Sequence, residues 1–176
     1  MYHYQVASIR ELTREIRMKE TVLDVLMYIF DNYIEEDLEF VPDQESLKTQ
    51  LIEAGFRDQQ IEKAFAWLEG LATQREYADT LNLSEISSLR IFSDQELERL
   101  DAECRGFLLF LEQANVLNSR ERELVIDRIM ALESDDIDLQ QLKWVVLMVL
   151  FNQPDKEAAI TWMEDIVMDD INANLH

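Results

Sequence analysis

The sequence predicts an all-α protein in two parts, an N-terminal helical hairpin or three-helix unit followed by an antiparallel bundle of about four helices. Three observations lead there. Only three of the 176 residues are glycine and two are proline, too few chain-breakers for a turn-rich sheet protein. Leu, Glu, Ala and Gln are abundant, and these lose little conformational freedom in a helix. Apolar residues also recur at helical spacing between capping signals. The hydrophobic fraction of 48% is ample for a buried core.

The first helix opens at Thr21. Val22, Val25, Leu26, Ile29, Phe30 and Tyr33 follow the i, i+3, i+4, i+7 pattern, with Asp24 and Asp31 outward. Between Lys19 and Lys48 there are nine acidic residues and no basic one, and Glu35, Glu36, Asp37 and Glu39 read as an exposed acidic loop ending at Pro42. Asp43 is placed to cap a second helix carrying Leu47, Leu51 and Ile52, and Gly55 to end it in a left-handed turn. Asp58 is placed to cap a third, with Ile61, Ala64, Phe65 and Leu68 on one face and Phe56 packing inward at the turn. Such a hairpin serves as plain packing, as a protein-binding module or as a DNA reader. Its last helix offers Lys63 alone against Asp58, Glu62 and Glu69, which disfavours phosphate contact.

Periodicity fades after Ala72 while Ser and Thr accumulate, so residues 78–92 read as a connecting segment between domains at 18–77 and 93–176. Ser93 with Glu96 opens a long helix through about Ala114, and Asn118 with Glu121 opens the next, containing Leu124, Val125, Ile129 and Leu132. Asp138 with Gln141 starts the helix that Pro154 stops. Asp155 is placed to cap a last one through Ile160, Met163 and Val167. Short connections make an antiparallel bundle the expected arrangement.

Cys104, the only cysteine, shares a stripe with Leu97, Leu100, Phe107, Leu108 and Leu111 and is expected in the core. Arg105 projects about 100° away round the helix, so sequence adjacency does not make the thiol reactive. Gly106 and Leu109 lie on the opposite face. That helix and the run Trp144 to Phe151, apolar on every side, are expected at the centre of the bundle, unless one leaves its outer face as a docking patch. The candidate interaction surface is therefore Arg105, Gly106 and Leu109 together with the acidic Glu35, Glu36, Asp37 and Glu39.

Chemistry is conspicuous by what is lacking. His3 and His176 are the only histidines and lie at the chain ends, which argues against Ser-His and Cys-His pairs. Three scattered glycines make no phosphate loop. The carboxylates Glu133, Asp135, Asp136 and Asp138, and Glu164, Asp165, Asp169 and Asp170, lack the spacing of a calcium loop or the Glu-x-x-His pairs of a di-iron bundle. No catalytic, cofactor-binding or metal-ligating residue is expected. The formal charge of −21 opposes binding to nucleic acid or anionic membrane and favours a basic protein partner. A single cysteine makes the cytoplasm the default compartment, and the longest apolar run is far short of the roughly 20 residues of a membrane span. Residues 1–17 carry net charge +1 against −22 for the remainder, and read as an extra leader or as sequence ahead of a start at Met18.

From Met18 to His176 the chain resembles the Smg family of bacterial proteins of uncharacterised function. The resemblance rests on "MKETVLDVLMYIFDNY", "LIEAGF" with "IEKAFAWLEGL", "LRIFSDQELERLDAECRGFLLFLEQANVL" and "LKWVVLMVLFN", ending in "LH". It implies a cytoplasmic bacterial protein whose gene often neighbours that of a DNA-processing protein, and it implies no reaction. The leading expectation is a non-enzymatic adaptor or regulator binding another protein, basic or nucleic-acid-processing. A loose similarity of the first hairpin to RecX-type recombinase regulators gives one alternative; a carboxylate metal enzyme gives another.

Overall fold

Most helices here begin where a short polar side chain accepts from one of the first unpaired backbone N–H groups, and these caps set the organisation of the chain. The computed structural model describes residues 21–34, 43–80, 90–134 and 136–174. The leader, the acidic residues Glu35, Glu36, Asp37 and Glu39, and most of the segment 78–92 lie outside them. The described residues form helices and loops without a strand; Leu100 and Ile137 make an isolated parallel bridge. Contacts divide the chain into two units between Ala64 and Phe65, inside the third helix.

In the first unit, α1 (Val22–Ile29) starts with a capping box between Thr21 and Asp24 and continues as a π-helical turn, Phe30–Ile34. Val25, Leu26, Ile29 and Phe30 are buried, as the spacing requires. Asp43 caps α2 (Gln44–Glu53) by accepting from Ser46 N–H at 3.2 Å. Gly55, at φ 99°, ends it in the left-handed region and turns Phe56 inward against the ring of Tyr28, 5.3 Å away edge-on. Of the two apolar neighbours Leu51 and Ile52, only the first faces the core: Ile52 is 49% exposed, because consecutive helical side chains diverge by about 100°.

The third helix, α3 (Asp58–Thr80), departs from expectation twice. Its first intrahelical bond runs from Ile61 N–H to the Arg57 carbonyl, so Asp58 is already helical and does not cap. Asp58 instead pairs with Lys48 at 2.8 Å, which also meets Glu62 and whose ammonium is thereby held protonated well above its usual range. The helix also runs on to Thr80 rather than fading near Leu71. No glycine or proline interrupts 71–80, and residues such as Ala72, Gln74 and Glu76 sustain a helix without an apolar stripe.

The rest of α3 belongs to the second unit with α4 (Asp94–Arg99), α5 (Ala102–Gln113), α6 (Ser119–Met130), α7 (Leu139–Phe151) and α8 (Glu157–Asn174). Trp67 and Arg128 join α3 to α6 reciprocally: the indole Nε1 donates to the Arg128 carbonyl at 2.8 Å, and Arg128 Nη1 donates to the Trp67 carbonyl at 3.0 Å. The guanidinium then lies against Gly70, where a Cβ would overlap Nη1. Gly70→Ala is expected to lower stability by about 1 kcal/mol. The helix-propensity gain of about 0.5–1 kcal/mol is outweighed by a charged hydrogen bond of about 1.5–3 kcal/mol. Gly106→Ala, on open surface, is expected to raise stability by about 0.5–1 kcal/mol. Urea unfolding of both variants checks the opposite signs.

The single long helix expected from Ser93 to Ala114 is two. Leu100 is extended (φ −108°, ψ 108°), and Asp101 starts α5 afresh by accepting from Cys104 N–H at 2.8 Å. The break is held from both sides. Ile137 N–H donates to the Arg99 carbonyl at 3.2 Å, and the Arg99 guanidinium donates to the carbonyls of Met130 (2.9 Å) and Leu132 at the end of α6. Leu97, before the break, is consequently exposed rather than part of the core stripe.

α7 is the centre of this unit. Leu142 and Val145 through Leu150 are buried, and α5, α6 and α8 all pack on it. Its end differs from expectation, since Asp155 does not cap α8. Asp155 sits at φ 58°, a left-handed conformation that Asp tolerates better than most residues, and the Lys156 carbonyl accepts the first helical bond from Ile160 at 2.9 Å.

Candidate interaction face

The two faces of α5 have opposite characters. Inward, Cys104, Leu108 and Leu111 are fully buried. Cys104 Sγ donates to the Ile137 carbonyl at 3.5 Å, and the thiol pKa is pushed up to about 12, chiefly by burial and secondly by Asp101. Cys104 is thus a core residue, and a thiol reagent at pH 8 is expected to leave the native protein unlabelled and to modify it only in denaturant. Rapid labelling without unfolding would contradict that placement.

Outward, Gly106 is exposed, and among the described residues nothing lies within 4 Å of where a Cβ would stand. Leu109 is 40% exposed and Phe110 48%. Phe110 lies 6.3 Å from the ring of Phe107 and 5.9 Å from Trp162 of α8, so the aromatic surface spreads from one helix to the other. Lys143 of α7 is buried behind it, its ammonium 5.4 Å from the Phe107 centroid. The expectation of two fully covered central helices therefore holds for α7 and not for α5. The third member of the sequence-derived patch, Arg105, is turned back: its Nη1 donates to the Leu100 carbonyl at 2.7 Å.

Electrostatically the face is one-sided. On this side α5 shows Glu103 and α8 shows Asp165 and Asp169, all exposed, while the one basic residue of the two helices, Arg105, is turned back to its own backbone. The nearest concentration of basic side chains is consumed internally, in a charge ladder that sequence reading missed. Arg90 binds both carboxylate oxygens of Glu96 (2.7 and 2.9 Å) and places Nε 2.7 Å from Glu123, close enough for an ion pair although its angle makes no hydrogen bond. Glu123 accepts from Arg122, which reaches Glu112 at 2.5 Å, and Glu112 accepts from Ser119. Bonding to Arg90 first, and to Ser93 N–H, holds the Glu96 carboxyl below its usual pKa. Beside the ladder, Lys156 meets the buried Glu121 at 2.9 Å. Only the capping-box half of this, Ser93 with Glu96 and Asn118 with Glu121, has a local signal; Arg90 lies six residues from Glu96 and Arg122 ten from Glu112, spacings that match no local motif.

The acidic clusters serve as caps and surface where they are described. Asp138 accepts from Gln141 N–H at 2.8 Å to start α7, and Ser134 Oγ donates to the Asp136 carbonyl. Asp135 lies outside the described residues. Among the described residues no three His, Cys, Asp or Glu side chains are grouped to hold a metal ion, and no helix is long and apolar enough to cross a membrane.

This combination of a helical chain, a break at "LDAEC" and an "LKWVVLMVL" buried at every position but Trp144 coincides with a family match. Residues 22–176 fit the model described as "Protein of unknown function (DUF494)". The "Protein Smg homolog" of Nitrosococcus oceani is 57% identical over 159 residues, 90% of this chain and 100% of the relative. The chain belongs to this family, DUF494 or Smg. Further Smg relatives include those of Alkalilimnicola ehrlichii, 53% identical over 86% of this chain and 96% of its own length, and Stenotrophomonas maltophilia, 50% identical over 90% and 100%. No solved structure matches. The Smg match spans both units, so α5 and its open face lie within the family region.

Proposed function

We propose that the protein is a non-enzymatic, acidic helical adaptor or regulator that acts in the cytoplasm by binding another protein. One observation carries the reading. Gly106 sits exposed in the middle of α5, approached by no other side chain or backbone among the described residues, beside two open apolar side chains. A glycine there costs about 0.5–1 kcal/mol relative to alanine, and no contact among the described residues offsets it. A partner approaching the bare helix backbone would. The charge of −21 favours a protein with a basic surface, including one that itself handles nucleic acid. A buried, protonated thiol and histidines found only at positions 3 and 176 favour a non-enzymatic role.

Affinity capture with the tagged full chain at low salt, from the cytosol of its own bacterium, tests the reading. A stoichiometric protein that is lost at high salt and lost with Leu109→Glu is the expected result. Reversing Glu35, Glu36, Asp37 and Glu39 to lysine separates an electrostatic contribution of that run from docking on α5. An empty capture at low salt would overturn the proposal.

A further inference from the structure

We infer that the face formed by Gly106, Leu109 and Phe110 with Trp162 receives a basic amphipathic helix of the partner. The inference rests on the adaptor reading and adds the chemistry of the occupant. Ala102, Gly106 and Phe110 follow one another at four-residue spacing, and all three are exposed. Two small residues in such a row leave a groove between taller neighbours, and a groove of this kind accepts the side-chain ridge of a crossing helix. An added strand fits poorly, because its polar backbone would lie on apolar side chains with no sheet edge to pair with. Leu109 and the Phe110–Trp162 pair, 5.9 Å between centroids, provide the apolar walls.

The charge of the occupant follows from the borders. Glu103 of α5 and Asp165 of α8 are exposed, each three residues from Gly106 and Trp162 respectively. The single basic side chain on these two helices, Arg105, donates to the Leu100 carbonyl. An incoming helix with lysine or arginine flanking its apolar ridge would complement this border, whereas an acidic one would be repelled. A second copy of this chain is the wrong occupant, since it would bring another −21 charge and no basic residue of its own on the same face.

The test uses the full chain and two model helices about five turns long. Both carry leucine at helical spacing along one face; lysine fills the remaining positions of one and glutamate those of the other. Backbone amide shifts are followed on titration. The lysine helix is expected to move amides of 102–113 and 158–166. Its affinity is expected to fall about tenfold with Leu109→Glu, and to weaken when salt is raised from about 0.05 to about 0.5 M. The glutamate helix is expected not to bind. Leu109→Ala, with an unchanged unfolding midpoint, guards against a folding artefact and is expected to weaken binding in the same direction. Equal binding of both helices, or binding of the lysine helix elsewhere with these amides unmoved, would overturn this inference while leaving the adaptor reading standing. Failure of both helices to bind would overturn the inference, and together with an empty affinity capture would remove the adaptor reading too.

Discussion

Replacing Leu150 by alanine is expected to remove about 3–5 kcal/mol of stability, a large share of the 5–15 kcal/mol that a domain of this kind possesses. Leu150 lies near the end of α7, has no exposed surface, and stands in a helix packed by α5, α6 and α8. The lost methyl groups forfeit their transfer energy, and the cavity left between helices closes only in part. Urea unfolding followed by circular dichroism gives the value. A loss below about 1 kcal/mol would mean that α7 is not the element around which the second unit is built.

Arg122→Ala is expected to cost about 2–4 kcal/mol, less than the full penalty for breaking a buried pair because its partners keep some access to water. Arg122 is 4% exposed and lies between Glu112 of α5 and Glu123 of α6. Its removal takes the cation from Glu112, which keeps the Ser119 hydroxyl, and leaves Glu123 to Arg90, which contacts it from the segment before α4. Glu112→Gln is expected to cost less, since the amide oxygen still accepts from Arg122 and the amide NH2 donates to the Ser119 hydroxyl, which turns from donor to acceptor. A loss for Arg122→Ala within about 0.5 kcal/mol of zero would reduce the ladder to a solvated surface feature.

The elements most legible in the sequence are those whose cause is local. Capping pairs such as Ser93 with Glu96, Asn118 with Glu121 and Asp138 with Gln141 act within four residues, and the structure places each as its spacing indicates. Gly55 and Phe56 were readable for the same reason. The break at Leu100 was not, because it is stabilised by Arg99 and Ile137, thirty or more residues from the groups they bind. Asp101 was the one local hint, a capping residue ahead of a helix that the apolar stripe seemed to carry straight through it. The extension of α3 escaped because residues 72–80 carry no apolar stripe, and the contact made there, Gln74 Nε2 donating to Asp127 at 2.7 Å, joins residues 53 apart. The candidate face was half legible. The pattern located Gly106 and Leu109 opposite the core stripe, but only packing could show that this side is open, that Phe110 and Trp162 extend it, and that Arg105 turns away from it.

On the proposed function, the outer face of α5 is taken up by another protein and not by a neighbouring helix of this chain. Photocrosslinking in growing cells tests it most directly, with a benzophenone amino acid placed in turn at 109, 110 and, as an exposed control on the same unit, 91. Discrete adducts with one basic protein from positions 109 and 110, absent from 91, are expected. Adducts indistinguishable among the three positions, or none at 109 and 110, would contradict it.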